Sequence, residues 1–460
     1  MNKKISTKGW VGKKIESFQN KSFDPVDLQC LDMKKYPYLL ESSSRGNDKN
    51  RFSILFYKPE FSLEKVDGEF LKKFDKLWNE NKVDQDQLFW DDKKLPFCGG
   101  WFVYLGYELA KEIEPTLRIP KSPFELPTAF ASRVSSALIY DHIDNEIFIV
   151  SDDIPKFSTI TSEIESDLAN LPILEEEKIS GTVEILFKGS PEEHQMHVKK
   201  CIDYIFQGEI FQANLSRLWN FKINENLRAT DIYRQLRKKN PSPFSGLVNH
   251  KNSTIISSSP ERLVSVNENL LETRPIAGTR PRGSSGIHDI ELSKELINSD
   301  KEKAEHLMLV DLERNDISKV CEPGSVKVNE MMIIETYAHV HHIVSNIRGS
   351  KVKGLSPGNV ISSVFPGGTI TGCPKVRCME ILGELEKVGR GPYTGSFGYV
   401  THSGNMDINI LIRSMLLENQ NLFFRAGGGI VADSIPESET LETEAKANGM
   451  LKALESFENV

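Results

Sequence analysis

No apolar run in this 460-residue chain reaches the roughly eighteen residues needed to span a bilayer. The opening segment, MNKKISTKGWVGKK, has lysines but no apolar stretch behind them, so no secretory signal is expected and a cytoplasmic protein is. Positive charge is in short supply as well. Lys and Arg number 57 against 65 Asp and Glu, a net charge of −8, so no basic surface offers itself to a nucleic acid. The six cysteines are scattered without a C-x-x-C pair, which argues against a disulfide framework and against zinc at its usual ligand spacing. His339, His341 and His342 cluster in TYAHVHHIVSNIRG, but that segment alternates like a strand and sends neighbouring rings to opposite faces. No repeat at solenoid spacing is visible. An apolar fraction of 39% is ordinary for a globular protein, and the length suggests two to three domain equivalents or one large interlocked unit.

Chemistry-bearing residues concentrate toward the end of the chain, in FPGGTITGCPK from Phe365, RGPYTGS from Arg390, NMDINILIRS from Asn405, AGGGIVADS from Ala426 and ESETLETEAK from Glu437. A helix is expected from about Pro436. Its Glu439, Glu442 and Lys446 fall at i, i+3 and i+7, on one face. One carboxylate there can hold a hard cation while Lys446 offers charge to a substrate; a solvated ion-pair face is the competing reading. The glycine run just before the helix belongs where backbone approaches a ligand closely. FPGGTITGCPK reads as a glycine turn feeding a helix that begins at Pro374, with amides and the Thr369 hydroxyl available to an anion. It is not a phosphate loop, because Cys373-Pro374 stands where Lys and Ser/Thr are required. RGPYTGSFG likewise misses the dinucleotide spacing. A carboxylated ligand, not a nucleotide, is expected.

Upstream, residues to about 165 read as strands and loops, including RFSILFYKP, GGWFVYLGYELA and ALIYDHIDNEIFIVSDD. A polar, acidic stretch near 165–181 looks like a connector. Ser190, Pro191 and Glu193 then form an expected capping box, Val198, Cys201, Ile202 and Ile205 an apolar helix face, and Gly208 a stop. In the strand that follows, Phe211, Ala213 and Leu215 alternate with Gln212, Asn214 and Ser216. That polar row faces either solvent or a polar partner.

Glu261, in SSSPERL, sits in an apolar setting where desolvation would raise its pKa toward use as a general acid; an ion pair with Arg262 or another arginine is the alternative. DKEKAEHLMLVDLERND is a helix that places Glu305 beside an apolar stripe, a second candidate metal carboxylate or a plain surface residue.

Together, across roughly residues 190–455, these motifs resemble the chorismate-utilising enzymes: anthranilate synthase component I, aminodeoxychorismate synthase component I, and isochorismate or salicylate synthases. The resemblance implies an α/β (α+β) fold with two large antiparallel sheets and helices between and around them. It also implies an N-terminal region, 1–185, interwoven with a chorismate-binding part, 186–460. Carried over by resemblance, Glu305 and Glu442 are the Mg²⁺ ligands. Thr369, Tyr393, Arg413, Gly427, Gly429 and Lys446 contact the substrate carboxylates, Glu261 protonates the departing 4-hydroxyl, and His342 is the active-site histidine.

Gln212 stands where isochorismate and salicylate synthases carry a water-activating lysine, so ammonia is the expected nucleophile and Gln212 joins the substrate-binding set. FQANLS, PFSG, SPER, FPGG and GSFGY resemble the aminodeoxychorismate synthases. Ala277, in PIAGT, instead matches the anthranilate synthases and removes the nucleophilic lysine of some aminodeoxychorismate synthases. Since no cysteine lies in a G-x-C-x-G turn, a separate glutamine amidotransferase is the expected partner. YPYLLESS, with Leu40, Glu41 and Ser42, resembles the element that forms a tryptophan pocket in such proteins; an ordinary edge strand and turn is the alternative.

Overall fold

The computed structural model describes residues 4–6, 9–15, 23–43, 51–66, 68–83, 89–171, 181–336 and 340–459. His339 and most of the expected connector, 172–180, lie outside these residues. The described part of the connector is the last turn of a helix, Phe157–Ala169, and the short segment after it.

Among the described residues there are two large sheets, one of 14 strands and one of 10. Pairing is antiparallel except where Thr182–Lys188 runs beside Glu458–Asn459. Both sheets take strands from both sides of residue 185. Tyr38–Glu41 lies between Phe52–Tyr57 and Phe244–His250 in the first. Gly100–Leu105 lies between Ala129–Val134 and Ser396–Thr401 in the second.

Strand alternation sorts the side chains into layers. Phe56 and Tyr38 of the first sheet meet Phe102, Tyr104 and Phe130 of the second in a shared aromatic core. Tyr38 and Phe102 stack with ring centroids 4.1 Å apart. Leu39, Leu55 and Tyr57 point the other way and join Ile164 and Tyr233, from helices on the outer face of the first sheet. Trp101, Val103 and Leu105 likewise pack with Phe74, Val310 and Ile361, from helices outside the second. The layering is the arrangement by which each amphipathic face is buried. Among the described residues no helix is long and apolar enough to cross a membrane.

Local signals explain the elements that frame the site. Ser190 caps Pro191–Phe206 by accepting from the Glu193 amide at 3.1 Å, although Ser190 donates to Glu192, and no reciprocal bond from Glu193 closes the box. Gly208 leaves that helix at φ +77. The helix after the FPGG loop spans Lys375–Glu386 with Pro374 at its N-cap, one residue outside the expected first turn. Helices Asp300–Ser318 and Pro436–Leu454 form as expected.

Candidate active site

The glycine run of strand Asn421–Ile430 is where most of the predicted residues converge. This strand pairs with Gln212–Ile223, setting Asn214 opposite Gly429 and Ser216 opposite Gly427. A Cβ on Gly427 would lie 2.8 Å from Tyr393 Oη, and one on Gly428 would lie 3.1 Å from Glu442 Oε1 and 3.5 Å from Lys446 Nζ. On Gly429 it would meet Gln212 Nε2 at 2.0 Å and Glu305 Oε1 at 3.1 Å. Only glycine permits this approach.

The polar row of the 212 strand therefore faces partners, not solvent. Gln212 Nε2 donates to Glu305 Oε1 at 2.8 Å, Asn214 Nδ2 to the Thr369 carbonyl at 3.2 Å, and Ser216 Oγ to Glu386 at 2.7 Å. On the apolar side, Ala213 and Leu215 enter the core, whereas Phe211 is 67% exposed at the strand's start.

Two i, i+3 carboxylate pairs border the site, Glu302 with Glu305 and Glu439 with Glu442, and Glu302 is also engaged by Arg280 Nη1 at 3.3 Å. Burial pushes Glu305 up to about 6, and the Glu302 and Glu442 charges act in the same direction. Burial also raises Glu439, which accepts from Ser434 Oγ at 2.7 Å and feels Glu442. Lys446 Nζ sits 2.6 Å from Glu442 Oε1. Hard oxygen donors that repel one another suit a small divalent cation that keeps some of its water. Glu302 does not appear among the residues singled out from sequence, and Glu439 appears only as a neighbour of Glu442 on its helical face, although the repeated i, i+3 spacing is a readable signal. A second acidic group, Asp141, Asp144 and Glu146, brings ligand oxygens within 4.8 Å of one another. Arg51, Lys93 and Lys14 pair with that group and neutralise it.

On the other side of the site, Glu261 is buried and raised to about 8. Desolvation is the main cause and the Glu313 charge adds to it, while Lys446 opposes. The expected alternative, an ion pair with Arg262, does not form: Arg262 is bidentate to Asp407 at 2.8 and 2.9 Å. Glu261 Oε1, Thr369 Oγ1 and Gln212 Oε1 are buried without protein hydrogen-bond partners. Buried orphans of this kind mark a place where a polar ligand completes the set.

Arg413, at φ +51, has its pKa lowered by burial while Glu261 pulls it back. Burial, then Arg413, pushes His342 down to about 3, so its ring is neutral; Nδ1 lies 2.9 Å from Thr279 Oγ1. His341 points away, to Thr336 and Asp289, as strand alternation requires. The Tyr393 phenol is pushed up to about 12 by burial and stays protonated.

A family profile described as chorismate binding enzyme matches residues 36–452. The chain belongs to the chorismate-binding enzymes. It is 36% identical to aminodeoxychorismate synthase component 1 of Bacillus subtilis over 97% of each chain. It is 37% identical to anthranilate synthase component 1 of Aquifex aeolicus, over 94% of this chain and 92% of the relative. Among solved structures it resembles anthranilate synthase component I from Streptococcus pneumoniae, with a TM-score of 0.77, 30% identity, and 88% of this chain and 93% of the other covered.

This chorismate-binding enzyme has a further cavity, of about 150 Å³, lined by Leu40, Glu41, Ser42, Phe244, Arg262 and Asp407 among others. The strand Tyr38–Glu41 is internal to its sheet, which sets aside the edge-strand alternative. Glu41 accepts from Tyr233 Oη at 2.6 Å and Arg237 at 2.9 Å, while Ser42 Oγ is buried and unpartnered.

Proposed function

We propose that this chain is aminodeoxychorismate synthase component I, which replaces the 4-hydroxyl of chorismate with an amino group on the way to 4-aminobenzoate and folate. Gln212 supports amination over hydration, and the segments FQANLS, PFSG, SPER, FPGG and GSFGY favour C4 as the position aminated. The Gln212 amide donates to Glu305 and offers no base to activate water, which favours ammonia as nucleophile over hydration. Arg413, Lys446, the Thr369 hydroxyl and the amides of Gly427 and Gly429 would hold the two substrate carboxylates, with Tyr393 donating from its phenol. Glu305 and Glu442, supported by Glu302 and Glu439, would hold Mg²⁺, which supplies charge neutralisation to a substrate carboxylate when bound.

In the reaction Glu261 gives its proton to the 4-oxygen as the C4–O bond breaks, and the hydroxyl leaves as water. The ammonia nitrogen bonds to C4 and then gives up a proton, which returns to Glu261. Neutral His342 holds a hydrogen bond within the site and carries no charge that would compete with the carboxylates. With Ala277 there is no lysine at this position to form a covalent intermediate with the substrate.

The ammonia would come from a separate glutamine amidotransferase. The relatives are named as component 1, and this sequence contains no glutaminase nucleophile turn. The cavity beside Leu40–Ser42 has the size and the paired charges to take an amino acid, for which tryptophan is the candidate.

A second reading, anthranilate synthase component I, is favoured by Ala277 and by the names of several relatives. Product analysis separates the two. The purified chain is given chorismate, Mg²⁺ and ammonium, with and without an aminodeoxychorismate lyase. Formation of 4-aminobenzoate only with the lyase is expected; anthranilate without it would overturn the first reading.

A further inference from the structure

Arg390, the first residue of RGPYTGS, is 2% exposed and takes no part in the reaction as proposed. A guanidinium carries five N–H donors in a fixed plane, and here each of the five has an acceptor. Nε and one Nη2 proton go to the two oxygens of Glu386, both at 2.8 Å. The other Nη2 proton goes to the Asn214 carbonyl at 2.7 Å. Nη1 donates to the Ile370 carbonyl and to Thr394 Oγ1, both at 3.3 Å. The guanidinium carbon also stands 5.5 Å from the centre of the Tyr393 ring.

These acceptors belong to the segments that carry the substrate contacts. Asn214 is two residues along the strand from Gln212, Ile370 follows Thr369, and Thr394 follows Tyr393. Thr394 Oγ1 in turn donates to the Tyr393 carbonyl at 2.5 Å. Glu386, the last residue of helix Lys375–Glu386, secures the same strand by accepting from the Ser216 amide at 3.0 Å and the Ser216 hydroxyl at 2.7 Å. With every N–H engaged, Arg390 has no donor left for a ligand and acts through its neighbours.

We propose that Arg390 is a positioning residue for substrate binding: one rigid planar group sets the spacing between Gln212, Thr369 and Tyr393, so that the Thr369 and Tyr393 hydroxyls meet a bound substrate together. The proposal rests on the reading of Thr369 and Tyr393 as substrate contacts. A lysine would keep the charge beside Glu386. Its donors radiate from one nitrogen on a flexible stem, however, and cannot hold a helix, a strand and two loops at fixed separation.

Arg390→Lys therefore tests geometry with the charge retained. A substitution that merely weakened the fold would reduce the amount of active enzyme, cutting kcat and leaving KM and the effects of other substitutions as they were. Misplaced contacts instead raise KM for chorismate and lower kcat/KM roughly 100-fold. The deciding measurement is a pair of double-mutant cycles, Arg390→Lys with Tyr393→Phe and with Thr369→Val, read as kcat/KM for chorismate at saturating Mg²⁺ and ammonium. In the wild-type background each lost hydroxyl should cost about 10-fold. In Arg390→Lys each should cost about threefold or less, because the hydroxyl no longer sits where it bonded. The same factor in both backgrounds would overturn the proposal, even if Arg390→Lys were nearly inactive. Should Arg390→Lys fail to fold, Thr394→Val decides, since it removes the acceptor beside Tyr393 and leaves the pair with Glu386 in place. The Tyr393→Phe factor should then shrink while the Thr369→Val factor holds, and two unmoved factors sink the idea. Full activity in both Tyr393→Phe and Thr369→Val would remove the reading of these residues as substrate contacts and the proposal with it, a failure seen before Arg390 is changed.

Discussion

Gln212 Nε2 and Glu305 Oε1 are 2.8 Å apart, and the same nitrogen lies 2.0 Å from where a Cβ on Gly429 would stand. An amide, a carboxylate and a bare stretch of backbone thus share one contact. Gly429→Ala forces the Gln212 side chain off Glu305. Burial is already the largest influence on that carboxyl, and loss of the amide donor raises its proton affinity further. Activity should fall roughly 10- to 100-fold, the range seen when a group supporting a metal ligand is lost, with Tm little changed. Steady-state assays paired with thermal melts check it; wild-type activity would show that the contact is idle.

Glu442→Ala and Glu305→Ala should each raise the Mg²⁺ concentration for half-maximal activity by about 100-fold or more, since each removes a first carboxylate from a cation held by few. Glu302→Ala and Glu439→Ala should raise it by roughly 10-fold, as supporting charges. A Mg²⁺ titration of the four variants reads this. Equal, unshifted curves would remove the metal assignment.

Glu261 carries a prediction in which stability and activity part ways. Its folded pKa, about 8, lies above the ordinary carboxyl value of 4.5. The folded state therefore binds this proton more tightly than the unfolded one. The destabilisation from ionising it is absent below about pH 4.5, grows as pH rises, and is complete only above the folded value. Glu261→Gln should raise Tm at pH 8 relative to wild type and leave it unchanged near pH 4, while chorismate turnover is lost. A Tm difference that does not vary with pH would contradict the assignment.

Tryptophan, if it fills the cavity beside Glu41, should release measurable heat in calorimetry and raise Tm with concentration, because a ligand bound only by the native state stabilises it by mass action. A tenfold rise in ligand beyond saturation adds about 1.4 kcal/mol. Absence of both heat and shift would leave the cavity without this occupant.

Much of this was readable in the chain because it depends on local rules. The triple glycine announced a close approach, and it underlies the Tyr393, Gln212, Glu305, Glu442 and Lys446 contacts. The i, i+3, i+7 spacing put Glu439 and Glu442 on one helical face with Lys446. Other features depend on what crosses between distant segments. Arg262 follows Glu261 in sequence, yet its partner is Asp407, because the ladder brings strand Met406–Asn409 alongside. Glu313 sits in DLERND, the charged end of an expected helix, and only the packing of the FPGG loop and of Thr273 against that helix reveals it as buried. The cavity beside Leu40 is bounded by residues from across most of the chain, and no window of sequence contains it.

That cavity touches Arg262, the residue after Glu261, and its floor strand, Tyr38–Glu41, is threaded between Phe52–Tyr57 and Phe244–His250. A hollow built by interleaving cannot be gained or discarded as a module. Recombination that swapped the first third of the chain for a foreign sequence would break the ladder supporting Phe244. Its occupant can be altered only by substitutions at its walls, each answerable to the chemistry next door.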